Sequence, residues 1–195
     1  MPAPWNGWYH GVLCTYGTWL RGDRRGFRTR HHREHVEGDY RNPPPAGLYE
    51  ALAQESAKSL RFPPAKLTPE ACRAVCHAFA VAMLKYRAEL VDLVVCPCHA
   101  HLLARFPDQL HSAPANLLTD GRNPIPRHIA GRAKRAASLA LTRRGLKQKG
   151  RPLWAKRGKL QPIRDQKHFE ATIRYIQRHQ QGGGVLWSRL KESDV

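Results

Sequence analysis

The stretch from Leu90 to Phe106 constrains the fold more than any other part of the chain. Leu90 to Cys96 is a short, nearly continuous apolar run, the pattern of a buried strand. Pro97 breaks it, and His99 to Phe106 forms a second strand, antiparallel to the first through a tight connection. The surrounding segments read as helices and further strands. Thr68-Pro69-Glu70 is a helix start: a capping hydroxyl, proline at the first helical position, then an acid in the first turn. Val75, Phe79, Ala82, Met83 and Tyr86 follow at three- and four-residue spacing, so this helix is expected to run to about Glu89. Another helix is expected from about Pro126 to Arg144, carrying Ile129, Ala133, Ala136, Ala137, Ala140 and Leu141 inward. Asp165 caps a last one with Phe169, Ile173 and Ile176 on its apolar side, and Gly182-Gly183-Gly184 ends it.

Trp8 to Leu20, aromatic, β-branched and bounded by glycines, reads as the first strand, with Gly17 as a bulge. Within Pro152 to Ile163 an edge strand is expected around Leu153-Trp154. The resulting order of strand, helix, strand, strand, helix, strand, helix predicts an α+β domain, an antiparallel sheet with helices packed on it. The 195 residues suit one domain, 1–184, with 185–195 as a C-terminal tail or short docking helix. A long insertion at about 24–65 holds Arg24, Arg25, Arg28, Arg30, Arg33, three histidines and Pro43-Pro44-Pro45, with two short amphipathic pieces around Tyr49 and Ser56.

Charge narrows the partners. Lys and Arg number 33 against 15 Asp and Glu, a formal net charge of +18, and such self-repulsion fits a polyanionic partner. Between Gly121 and Leu160 there are thirteen Lys or Arg and no acid, so Arg122, Arg127, Arg132, Lys134, Arg135, Arg143, Arg144, Lys156 and Arg157 are candidate phosphate contacts. Trp154 is a candidate to stack on an unpaired base, and equally a core residue. The longest apolar run, Ala78 to Leu84, is seven residues, too short to span a membrane, and Met1 to Trp8 lacks the order of a signal peptide. Five cysteines, an odd and widely spaced set, fit a reducing cytoplasmic compartment; Cys72 and Cys76, four apart on a helix, read as small buried side chains.

The chemistry-bearing residues fall in two places. On a strand, His99 and His101 project to one face while Ala100 points to the other, which makes half a metal site. A structural zinc on Cys96, Cys98, His99 and His101 is disfavoured, because Pro97 separates the thiols and the usual ligand spacing is absent. On the last helix, His168, Thr172, Tyr175 and His179 share a stripe, so the helix can bring a third imidazole and a phenol to the strand pair. A cation on His99, His101 and His179 polarises phosphate oxygens, and phenolate attack by Tyr175 gives a covalent phosphotyrosine. Among the six tyrosines, Tyr9 and Tyr16 lie in the first strand, Tyr40 and Tyr49 in the insertion and Tyr86 on an inward stripe. Only Tyr175 both has a ligand-capable residue one turn away and lies on the helix that closes the domain.

The run Val94-Val95-Cys96-Pro97-Cys98-His99-Ala100-His101-Leu102-Leu103, followed by Tyr175-Ile176, resembles the single-tyrosine transposases of the HUH endonuclease superfamily, and most of all the REP-associated tyrosine transposases. Tyr16-Gly17-Thr18-Trp19-Leu20 with Gly22-Asp23 and Arg25-Gly26 is similar to a subgroup of that family. The resemblance implies a ferredoxin-like α+β fold, His99 and His101 as metal ligands, Tyr175 as nucleophile and His179 at the third-ligand position, where Asn or Gln is usual. It further implies Mg²⁺ or Mn²⁺ and, as substrate, single-stranded DNA with a hairpin. The activity would be that of a cytoplasmic, nucleoid-associated transposase, monomeric or homodimeric, serving DNA transposition and recombination. Cys98 stands where Asn or Asp is usual, and His179-Gln180 replaces an Asn-Pro pair. The alternative is a domesticated or decayed nucleic-acid-binding protein on the same scaffold. A ribosomal-type RNA-binding module would leave the histidines and Tyr175 to chance.

Overall fold

A computed structural model of the chain describes residues 5–27, 35–39, 41–109, 124–156 and 158–192. In chain order the elements are β1 (Trp8–Cys14), α1 (Glu50–Lys58), α2 (Pro69–Lys85), β2 (Glu89–Val95), β3 (His99–Arg105), α3 (Ile125–Arg143), β4 (Lys159–Pro162), α4 (Gln166–Arg178), β5 (Val185–Ser188) and α5 (Arg189–Glu192). The strands form one antiparallel sheet in the order β4-β1-β3-β2-β5. Without α1, α4, β5 and α5, this is the ferredoxin-like arrangement: two strand–helix–strand units whose β1 and β3 lie side by side at the centre.

The central hairpin is as expected. Its apolar strand β2 is buried from Leu90 to Val95, and the Cys96 N–H donates to His99 O at 2.8 Å around Pro97-Cys98. Alternation along β3 divides the molecule into two layers. Ala100, Leu102 and Ala104 face a core made with α2 and α3, including Phe79, Met83, Ile129, Ala133 and Leu141. Leu103 faces a smaller core made with α4, where Val91, Val94, Ile163 and Ile176 meet Trp8, Phe169 and Ile173. His99 and His101 belong by the same alternation to the α4 side.

The helix starts follow their caps. Thr68 Oγ1 accepts from Ala71 N at 3.2 Å ahead of Pro69, and Asp165 Oδ1 accepts from His168 N at 2.7 Å. Helix α2 stops at Lys85 rather than near Glu89, because Arg87 takes a positive φ of 56° and turns the chain into β2. Cys72 and Cys76 are both buried on it.

Four expectations need correction. Strand β1 ends at Cys14, and Gly17 turns the chain with φ 73° instead of forming a bulge. The edge strand is Lys159–Pro162, whereas Trp154 makes one isolated bridge to Thr15. Residues 185–188 are not a tail: Val-Leu-Trp-Ser pairs with β2 as β5, covering an edge that would otherwise expose a buried apolar strand. In the 24–65 segment one helix, Glu50–Lys58, spans what read as two amphipathic pieces, and none of its residues is buried. Among the described residues no helix is long and apolar enough to cross a membrane.

Candidate functional site

Register puts three imidazoles, His10, His99 and His101, on the α4 side of the sheet. His101 stands opposite Val12 on β1 and Val94 on β2, while His10 stands opposite Leu103, one row along. His10 and His101 are therefore diagonal neighbours on adjacent strands, with stacked rings and His10 Nε2 3.1 Å from His101 Nδ1. Helix α4 crosses above them. Its apolar stripe seats on β2 and β3, and this seating turns Tyr175 and the C-capping His179 toward the strand histidines.

The resulting cluster is tight. The His101 ring stacks on His179 with centroids 4.6 Å apart, and His99 lies 4.9 Å from His101 and 5.2 Å from His179. The Tyr175 ring meets His179 at 4.9 Å, His101 at 5.1 Å and His10 at 5.8 Å, each edge to face. Tyr175 is 38 % exposed, so a polymer can reach it, whereas His101 is 4 % exposed. The structure thus brings together Tyr175, His99, His101 and His179.

Ligand geometry selects a slightly different trio from the three imidazoles expected. Cys96 Sγ and one ring nitrogen each of His99 and His179 lie within 4.8 Å of one another; His101 stands beside this group, outside it. His179 Nε2 is buried with no hydrogen-bond partner among the described residues, an orphan that an ion would satisfy. Cys98 lies outside the trio: its carbonyl accepts from Thr15 and Thr18 hydroxyls, both at 3.0 Å.

Burial in a positively charged neighbourhood keeps the imidazoles neutral, the form in which a ring nitrogen can ligate a cation. Desolvation, reinforced by His168, Lys159 and His179, lowers His10 from 6.5 to about 4. His99 falls to about 4 by burial with His179 and Arg25 adding to it, and His101 to about 2 by burial beside His99, His10 and His179. His179 is lowered by burial, while burial raises the Cys96 thiol to about 11.

A structured loop borders the cluster. Thr18 ties it to the Cys98 carbonyl, the Trp19 indole N–H donates to Gly26 O at 2.9 Å, and the Arg25 guanidinium lies 4.6 Å over the Trp19 ring while paired with Asp23. Gly22, with φ 81°, is needed here because a Cβ would stand 2.6 Å from the Ala53 nitrogen of α1.

The basic residues proposed to track phosphates fall elsewhere. Arg122 and Arg157 lie outside the described residues. Arg127, Arg132, Arg135 and Arg143 are exposed on α3 and Arg144 at its C-cap, and α3 packs on the sheet face opposite the histidines. Arg132 Nε donates to the Tyr86 hydroxyl at 2.7 Å. Lys134 and Trp154 serve packing: Lys134 Nζ donates to Ala155 O at 2.6 Å and Trp154 Nε1 to Lys134 O at 3.0 Å, with the indole edge-on to Phe79. Lys156 is exposed in the same segment.

One member of the site, His10, escapes the sequence, and another, Cys96, is weighed there as a zinc ligand and set aside. His10 carried one available signal, its alternation with Trp8 on a strand, but only register brings it to His101. Cys96 lies next to a proline that argued against it, and its partner His179 is brought back by helix α4.

Fold and site define an α+β domain with a ferredoxin-like sheet, one face of which carries an imidazole, thiol and phenol cluster. No protein-family model matches the chain, and no curated protein matches it significantly. Among solved structures it is similar to a REP-associated tyrosine transposase bound to a REP hairpin, at 14% sequence identity and a TM-score of 0.40. The match covers 87% of this chain and 64% of that one, so the chain spans under two thirds of that protein's length.

Proposed function

We propose that the protein is a metal-dependent nickase and strand transferase for single-stranded DNA, with Tyr175 as nucleophile. The observation that carries this reading is the partly exposed Tyr175 ring set edge-on against His101 and His179, beside a buried ring nitrogen without a partner. The residues fit a divalent cation on His99 and His179, with His101 or Cys96 as a further donor. Such an ion supplies Lewis-acid polarisation of a phosphodiester.

The chain's own residues do the rest. Tyr175 Oη forms a bond to phosphorus, the bond from phosphorus to the 3′ oxygen breaks, and the phenol proton ends on that oxygen as a 3′ hydroxyl. The 5′ phosphate stays on the tyrosine, and reversal with a different 3′ hydroxyl transfers the strand without ATP. His10 holds the His101 ring through its 3.1 Å contact, and so fixes the surface against which the phenol rests. The net charge of +18 supplies long-range attraction for the polyanion.

Labelled hairpin-bearing single strands incubated with Mg²⁺, Mn²⁺ or Zn²⁺ should give a denaturant-resistant protein–DNA adduct. Tyr175→Phe keeps the ring packing and should abolish the adduct while leaving binding within about twofold. An adduct that survives in Tyr175→Phe moves the nucleophile elsewhere. The second reading, a non-catalytic nucleic-acid-binding protein on the same scaffold, is favoured by the exposed arginines of α3 lying across the sheet from the cluster. It predicts DNA binding with no adduct under any metal.

A further inference from the structure

We propose that Cys96, His99 and His179 form a thiolate-bearing centre for a thiophilic divalent cation of the Zn²⁺ class, in place of the hard Mg²⁺ or Mn²⁺. The inference deepens the reading above, since it names the ion and third ligand of the same site.

Three observations meet at this trio. The donor atoms already lie within 4.8 Å of one another. A tetrahedral ion with bonds of about 2.0 to 2.3 Å spaces its donors roughly 3.3 to 3.8 Å apart, so small side-chain rotations close the site. Backbone geometry holds two of the ligands together, because the Cys96 N–H donates to His99 O and closes the turn through Pro97-Cys98. The third comes from the end of α4, and its Nε2 is buried with no other partner among the described residues.

Gly184 closes the site from behind. Its N–H donates to His179 O at 3.1 Å, and a Cβ there would stand 2.8 Å from that oxygen and 3.1 Å from Cys96 Sγ. The glycine turn therefore lies close to the thiol and to the His179 backbone, and leaves no room for a side chain.

The donor set then selects the metal. Two imidazoles and a thiolate include no oxygen ligand, whereas Mg²⁺ demands an octahedron of oxygens. Zinc takes N and S donors in tetrahedral sites, and three protein ligands leave a fourth position open. His101 and Tyr175 both pack against His179, so a phosphate oxygen taking an open position on such an ion would lie near them. On ligation the thiol gives its proton to solvent and the sulfur bonds the metal as thiolate, so binding releases one proton from Cys96.

Co²⁺ titration of the full chain tests this, because a cobalt–thiolate bond adds a near-ultraviolet charge-transfer band that imidazole and oxygen ligands lack. One equivalent of Co²⁺ should produce the band, stoichiometric Zn²⁺ should remove it and a thousandfold excess of Mg²⁺ should not. Cys96→Ser should abolish the band and weaken binding at least tenfold, while Cys98→Ser changes neither. Should Cys96→Ser fail to fold, slow alkylation of the wild-type protein with and without Zn²⁺, followed by peptide mapping, gives the same answer: the buried Cys96 should label more slowly with Zn²⁺ than without it, and Cys98 at an unchanged rate. A band that persists without Cys96, displacement by Mg²⁺, no thiolate band, or a Cys96 labelling rate that Zn²⁺ leaves unchanged overturns the proposal. The band without any DNA adduct leaves the metal centre standing and removes the nickase reading; an adduct formed with Mg²⁺ and no band does the reverse.

Discussion

At the residue scale, the site depends on imidazoles that stay neutral although they crowd one another. His10 and His99 titrate near 4 and His101 near 2, against 6.5 in an unfolded chain. The unfolded chain therefore takes up protons as pH falls below 6.5, while the native cluster does not until about 4. Stability of the metal-free protein should accordingly rise with pH across this window and be lost as pH falls from 6.5 toward 4. Urea unfolding at intervals from about pH 7.5 to about pH 4.5 should show the midpoint falling, and His101→Gln should flatten the decline. A midpoint independent of pH over that range would mean the histidines are solvated.

At the element scale, β3 and α4 build the site from opposite periodicities, one of two residues and one of nearly four. Those periodicities made His99, His101, Tyr175 and His179 legible in the sequence, together with the capped starts of α2 and α4. What alternation and capping do not carry is register. His10 joins the cluster only because β1 pairs with β3, and Cys96 joins it only because α4 returns His179 past the hairpin. Strand β5 was hidden for a related reason: four residues after three glycines look like a tail until β2 needs a neighbour. Strand β4, Lys-Leu-Gln-Pro, has no apolar alternation to announce an edge strand. The glycine turn between α4 and β5 yields a prediction. Gly184→Ala would place a Cβ 2.7 Å from Val94 Cγ2 and should cost about 1 to 3 kcal/mol of unfolding free energy by denaturant titration. Cobalt affinity should drop with it. Unaltered stability would show that the turn has room for a side chain.

At the scale of the whole molecule, the sheet separates two surfaces. The histidine cluster and Tyr175 lie on the α4 side, and the exposed Arg127, Arg135 and Arg143 lie on α3 behind the opposite face. A strand that uses both must pass around an edge of the sheet. Reversing the charge of these three arginines should weaken single-strand binding and reduce the salt slope by roughly 0.7 for each phosphate no longer neutralised. The cobalt spectrum should be unchanged, since no ligand is touched. An unchanged slope would assign the binding surface to the α4 side, with Arg174 and Arg178 as the exposed cations to test there.

The central claim is that Tyr175 becomes covalently joined to DNA, and peptide mapping of the trapped adduct tests it most directly. Three other tyrosines have different surroundings: Tyr9 packs on Phe106 across the sheet, the Tyr86 hydroxyl accepts from Arg132, and the Tyr49 hydroxyl accepts from Glu37 N. After nuclease trimming and trypsin digestion, mass spectrometry should find the nucleotide on the peptide that begins at Tyr175, linked through its 5′ phosphate. A nucleotide on any other tyrosine, or no adducted peptide with any of the three metals and a range of hairpins, would contradict the account.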